Sequence, residues 1–170
     1  MSSFASIIVF INRQLGAFVS FATIVMAIVM FVIVLLRYGF NVGWIGLQES
    51  VTYLHAAVFL LGAAFTYQHD GHVRVDVFYR RFNARKRAVV DFFGALLFML
   101  PVSVYLFVVC IDYVFESWRL MEASREPGGL PFVYILKSFM LLFAGSMALQ
   151  AIAELINQGN KIVNKRVEAY

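Results

Sequence analysis

Four stretches of this chain are long enough to cross a bilayer and nearly free of charge, and they constrain the fold more than anything else in the sequence. Leu15 to Leu36 and Phe92 to Ile111 hold no charged residue, Ser50 to Tyr67 holds none but carries His55, and Phe132 to Ala153 holds only Lys137. A hydrocarbon core about 30 Å thick needs about 20 helical residues, which is the length of these runs. A composition 62% hydrophobic and 14% charged, with mean hydropathy +0.80, would leave a water-soluble globule of 170 residues covered in apolar patches. The short links imply one helical hairpin after another. Strands are excluded, because a membrane barrel needs alternating polar positions and at least eight strands. The sequence therefore predicts an all-α membrane protein, a single four-span domain over residues 1–170 with spans near 15–36, 50–67, 92–111 and 132–153.

The basic residues set the orientation. Arg74, Arg80, Arg81, Arg85, Lys86 and Arg87 crowd the link between the second and third spans, and Arg13, Lys161, Lys165 and Arg166 flank the two ends. The opposite side holds Arg37, Arg119 and Arg125. Loops rich in Lys and Arg stay cytoplasmic, so both termini are expected inside, and Trp44 and Trp118 fall at the outer headgroup layer. The net charge of +4 is then a topology signal and not a sign of nucleic-acid binding. A single cysteine, Cys110, excludes an internal disulfide, a cysteine metal cluster and the paired thiols of a membrane thiol oxidoreductase.

Two amphipathic segments are expected to lie in the interface. Phe4, Ile7, Ile8 and Ile11 recur at i, i+3, i+4, i+7, predicting an interfacial helix over 3–13. A cleaved signal peptide is the competing reading, but one Arg ahead of 22 apolar residues is the wrong pattern for it. A second short helix is predicted over 76–84, with Asp76 as N-cap, Val77, Phe78 and Phe82 dipping into the interface, and Arg80 and Arg81 reaching lipid phosphates.

The chemistry-bearing residues admit functional and structural readings. His55 is the only histidine within a span. A bis-histidine haem needs a second imidazole on a facing helix, whereas His69 and His72 lie in the inner link. The favoured reading is a packed, hydrogen-bonded histidine sharing a helical face with Glu49 and Thr52. A proton relay through Glu49 and His55 would lack a further buried acid. Lys137, about 9 Å into the fourth span, can snorkel outward and pair with Glu122 or Glu126; the functional alternative is an anion-binding lysine. His69, Asp70, His72 and Asp76 could be taken for a metal site, but their spacing is that of no fixed ligand set.

The outer link, 112–131, starts with helical spacing at Asp112, Glu116 and Arg119, so the third helix should project beyond the membrane. Glu126-Pro127-Gly128-Gly129-Leu130-Pro131 then forces a turn. This is a re-entry turn whose functional version is a docking surface for an extracytoplasmic partner. In the fourth span Ala144, Gly145, Ser146, Ala148 and Ala151 form a small-residue patch, with Ala144 and Ala148 at i, i+4, where backbones can approach closely. No discontinuous helix, inverted repeat or set of buried polar groups points to a substrate site in the chain itself.

The order of these pieces resembles the small membrane subunit of tripartite ATP-independent periplasmic (TRAP) transporters. The resemblance rests on Glu49 opening the second span and on Leu61-Gly62-Ala63-Ala64 leading to His72-Val73-Arg74-Val75-Asp76. Arg85-Lys86-Arg87 before the third span and Ser117-Trp118 followed by Glu122 and Ser124 complete it; it covers roughly Gln48 to Glu154. It implies a non-catalytic subunit of the bacterial inner membrane without a cofactor of its own. Its partner is a large multi-span subunit that carries the substrate and sodium sites and moves as an elevator, fed by a periplasmic substrate-binding protein. The small subunit would buttress the stationary scaffold. The Ser124 to Pro131 stretch resembles a subset associated with keto acids and other organic acids. Two rivals remain at the level of sequence: a membrane-anchor subunit of a quinone-linked redox complex, and a small autonomous drug exporter, which should carry a mid-membrane coupling acid that these spans lack.

Overall fold

The computed structural model describes residues 3–69, 71–72 and 76–163, and within them leaves the side chains of 3–6, 8, 9, 11, 12, 76 and 78 undescribed. The chain forms α1 (Ser3–Gly39), α2 (Ile45–Gln68), α3 (Asp76–Tyr79), α4 (Ala84–Gly94), a π-helical turn (Ala95–Met99), α5 (Leu100–Arg119) and α6 (Val133–Val163). Among the described residues there is no strand. Among these residues four helical segments are long and apolar enough to cross a membrane: Arg13–Gly39, Ile45–Gln68, Ala84–Arg119 and Val133–Val163. The end carrying the α1–α2 and α5–α6 links is called the outer end below, after the charge distribution.

Several boundaries differ from those expected of the sequence. The helix expected over 3–13 is continuous with the first span, because no Gly or Pro interrupts Asn12, Arg13 and Gln14 and the backbone ladder has no reason to break. The helix expected over 76–84 is a single turn, Asp76–Tyr79. It ends early because Asn83 is extended and its side chain accepts a 2.9 Å hydrogen bond from the Lys86 N–H, capping the start of α4. The third span is thus the long combined helix 84–119, which projects at its outer end as far as Arg119. Within it Pro101 lacks an N–H and crowds the preceding turn, and the chain relieves this by widening to a π turn just before it.

Close approach holds the bundle together. A Cβ on Gly16 would fall 2.2 Å from the Phe65 ring, so only glycine lets α1 and α2 meet there; one turn up, a Cβ on Gly62 would lie 3.2 Å from Val19. α6 is the central element and touches α1, α2, α4 and α5. Of the eleven buried apolar residues described, eight are alanines, among them Ala64 on α2 and Ala144, Ala151 and Ala153 on α6. Small side chains are what bring helices together where lipid and protein are equally apolar. In contrast, α1 exposes Phe18, Phe21, Ile24, Ile28 and Phe31, and α5 with its π turn exposes Leu97, Phe98, Val102, Val108 and Val109. Such faces suit acyl chains.

Candidate functional site

The polar side chains concentrate at the outer end, where the link between α5 and α6 folds over the start of α2. Met121 takes up a left-handed backbone conformation (φ 46°) after α5, and Glu122 N–H then donates to Ser117 O at 3.0 Å. Ser124 N–H donates to Leu130 O at 3.0 Å and Gly129 N–H to Glu126 O at 2.9 Å, so 124–130 closes into a loop whose turn is made by Gly128 at φ 78°.

Two carboxylates lock this loop in place. Glu49, in the first turn-and-a-half of α2, accepts hydrogen bonds from the Ser124 hydroxyl and, at 2.6 Å, from the Leu130 N–H. The fit is tight: a Cβ on Gly129 would lie 2.5 Å from Ser124 Oγ and 2.9 Å from Glu49 Oε1, and one on Gly46 would lie 3.1 Å from Gly128 O. Glu122 accepts from Ser117 Oγ at 2.7 Å and from Lys137 Nζ at 2.5 Å. Its backbone carbonyl takes the Val133 N–H at 3.0 Å. The ammonium of Lys137 and the hydroxyl of Ser117 hold the Glu122 carboxyl below the usual carboxylate range, both bonds favouring its charged form. Lys137 also sits 3.9 Å over the Tyr113 ring, a cation–π contact. Beside this pair Trp118 donates from Nε1 to Ser138 Oγ at 2.8 Å and packs edge-on against Tyr134 at 4.6 Å. Chemically this is a clamp: Glu49 joins α2 to the loop, and Glu122 with Lys137 joins the loop to α6.

The other residues singled out in the sequence are scattered. His55 is exposed on α2 with its ring 4.5 Å from Phe59, so it is not the packed, hydrogen-bonded histidine expected; the described part of the chain offers its ring nitrogens no partner. Although Glu49 and Thr52 share its helix, Glu49 turns to the loop and Thr52 is exposed. His72 lies at the inner end, its Nε2 3.3 Å from Ala63 O, and His69 Nδ1 lies 2.9 Å from Phe65 O. No cluster of three or more metal-ligating side chains exists among the described residues. Arg74 lies outside the described residues; Asp76 begins α3, and its side chain is likewise undescribed. Ala144 is buried and Ala148 half-buried, and a Cβ on the intervening Gly145 would lie 3.7 Å from the Phe107 ring, so part of this patch faces α5. The sequence reading missed the hydroxyls of Ser117 and Ser138 as partners, and the Tyr79 hydroxyl donating to Asp91 Oδ2 at 2.7 Å, which ties the inner link to α4. The Gly-Gly turn was the available signal for the loop closing on an acceptor; nothing local signals the tyrosine.

Four membrane-length helices with an outer link clamped by the chain's own polar side chains define a multi-pass membrane protein. The profile of the family described as "Tripartite ATP-independent periplasmic transporters, DctQ component" matches residues 26–159, and the chain belongs to that family: it is a small permease component of a TRAP transporter. A protein of Haemophilus influenzae described as a TRAP transporter small permease is 30% identical over 123 residues, covering 72% of this chain and 76% of its own. No solved structure matches. The chain is thus a transporter component and not an enzyme, and a multi-pass protein of the bacterial inner membrane. The family implies association with a large membrane subunit and a binding protein.

Proposed function

We propose that this chain is the fixed buttress of a sodium-coupled TRAP transporter for organic acids. Both of its termini are cytoplasmic, and the large subunit carries the substrate and sodium sites. The observation that carries the reading is the commitment of Glu49, Glu122 and Lys137 to one another's neighbourhood. The carboxylates and the cation, the groups chemically able to seat a sodium ion or an organic anion, are bonded within the chain. A unit so tied has little to gain from moving and much apolar surface to lay against a partner. The apolar stretches 15–36, 50–67, 92–111 and 132–153 also carry no acid that could couple transport to a cation gradient.

The test is reconstitution of the large subunit and the binding protein in liposomes with an inward sodium gradient, with and without this chain. Organic-acid uptake should need all three proteins. Full uptake without this chain would refute the buttress role. Within the complex, charge reversal at Glu49 or Arg74 should lower uptake by weakening assembly; normal assembly with lost uptake would instead place those residues in transport.

A further inference from the structure

One face of α2 is unsuited to lipid. Thr52, His55 and Phe59 lie at i, i+3, i+7 on a single stripe and all three are exposed, while Ala57, Leu61 and Ala64 on the other side are buried. His55 comes ten residues after Ile45 and thirteen before Gln68, or about 15 and 20 Å of helical rise from the two ends. From the expected outer boundary at Ser50 it lies five residues, about 7.5 Å, inside the span, on the outer side of its middle. Its imidazole has a ring contact with Phe59 and no hydrogen bond among the described residues, and the Thr52 hydroxyl has no hydrogen bond within the described chain.

The serine and threonine hydroxyls elsewhere in the spans are handled differently, although the Tyr53 hydroxyl, buried on α2, also lacks a partner among the described residues. Ser20 donates to Gly16 O, Thr23 to Val19 O, Thr66 to Gly62 O and Ser103 to Met99 O, each within its own helix at 2.7–3.0 Å. The exposed faces of α1 and α5 are apolar at the same depth. On α5 Tyr105 lies six residues, about 9 Å, from the expected outer boundary at Ile111, with its hydroxyl at the far end of a long ring. Unpaired polar groups in hydrocarbon are expensive, and ionisable side chains within spans face protein or water.

From this contrast we infer that the Thr52–His55–Phe59 stripe of α2 is the surface that packs against the large membrane subunit. The partner helix presents a hydrogen-bonding side chain to His55 in the outer half of the span, while α1 and α5 face lipid. The inference rests on the buttress reading above and names the face it uses.

The test uses the co-expressed complex in native membranes. The photoreactive residue p-benzoylphenylalanine replaces Phe59, Phe31 on α1 or Phe98 next to α5, one at a time; an aromatic ring is kept at each site. Irradiation should join the chain to the large subunit from position 59 and not from 31 or 98. His55→Leu should weaken copurification, raising the dissociation constant roughly three- to tenfold, the value of one interhelical hydrogen bond in a membrane. His55→Gln, which keeps a donor and an acceptor, should recover most of it. Adducts to the large subunit only from 31 or 98, an adduct of twice this chain's mass from 59, no adduct from 59 in an intact complex, or wild-type affinity in His55→Leu would each overturn the inference. Failure of the unmodified chain to copurify with the large subunit would overturn the reading beneath it.

Discussion

Replacing Gly129 by alanine should loosen the outer clamp out of proportion to the single methyl group added. The new Cβ would lie 2.5 Å from Ser124 Oγ, 2.6 Å from Ser124 Cβ and 2.9 Å from Glu49 Oε1, against an ordinary contact of 3.4–4 Å. Ser124 has no long side chain to swing away, so the loop must open by about 1 Å, and overpacking of that kind costs about 1–3 kcal/mol. Alanine returns about 0.4–1 kcal/mol by restricting the unfolded chain, leaving a net loss of about 1–2 kcal/mol. At about 2–4 °C per kcal/mol for a chain of this size, the thermal midpoint in detergent should fall by about 2–8 °C. Gly39→Ala is the control, since nothing lies within 4 Å of its Cβ position; it should change stability by less than about 0.5 kcal/mol. The decisive assay is a double-mutant cycle. Ser124→Gly removes the two nearest clashing atoms, so Gly129→Ala should cost less in that background than in the native chain. Equal costs in the two backgrounds, or equal effects at Gly129 and Gly39, would refute the steric argument.

Ala151, fully buried on α6, should tolerate no enlargement: Ala151→Leu should lose about 1–3 kcal/mol in a thermal scan, while Leu142→Ala on the exposed face of the same helix should change little. The Glu122 tie should be acid-sensitive. Because its folded pKa lies below the ordinary value of 4.5, its stabilisation is complete above about pH 4.5 and is lost as the pH falls through the folded value. Melting followed from pH 6 down to 3 should show this loss, and Lys137→Met should flatten that part of the profile. Pro101→Ala should let the preceding π turn tighten, seen as slower amide exchange at 98–100 and 102; unchanged exchange would mean the proline does not cause the turn.

What the sequence reveals here follows how far apart the interacting residues lie. The four spans are legible because bilayer thickness acts on consecutive residues, and the projection of the third helix because Asp112, Glu116 and Arg119 keep local helical spacing. Glu49 stands out as the acid at the head of the second span, yet Ser124 and Leu130 lie 75 and 81 residues away, and no periodicity encodes a contact at that range. The partners of Lys137 are narrowed to two nearby acids by reach alone, and Glu122 is the one bonded. Helix ends are harder. Nothing in amphipathic spacing says whether an interfacial segment runs straight into a span, as α1 does, or is cut short, as α3 is by the Asn83 cap. His55 is not placed by sequence alone, because helical periodicity groups it with Thr52 and Phe59 but does not say whether another helix of the chain covers that stripe.

The claim underlying all of this is that the chain holds but does not carry, and uptake by the purified chain alone tests it most directly. Reconstituted in liposomes under an inward sodium gradient, with binding protein and radiolabelled organic acid outside, it should accumulate no more label than empty vesicles. Gradient-dependent accumulation by the chain alone would contradict the account.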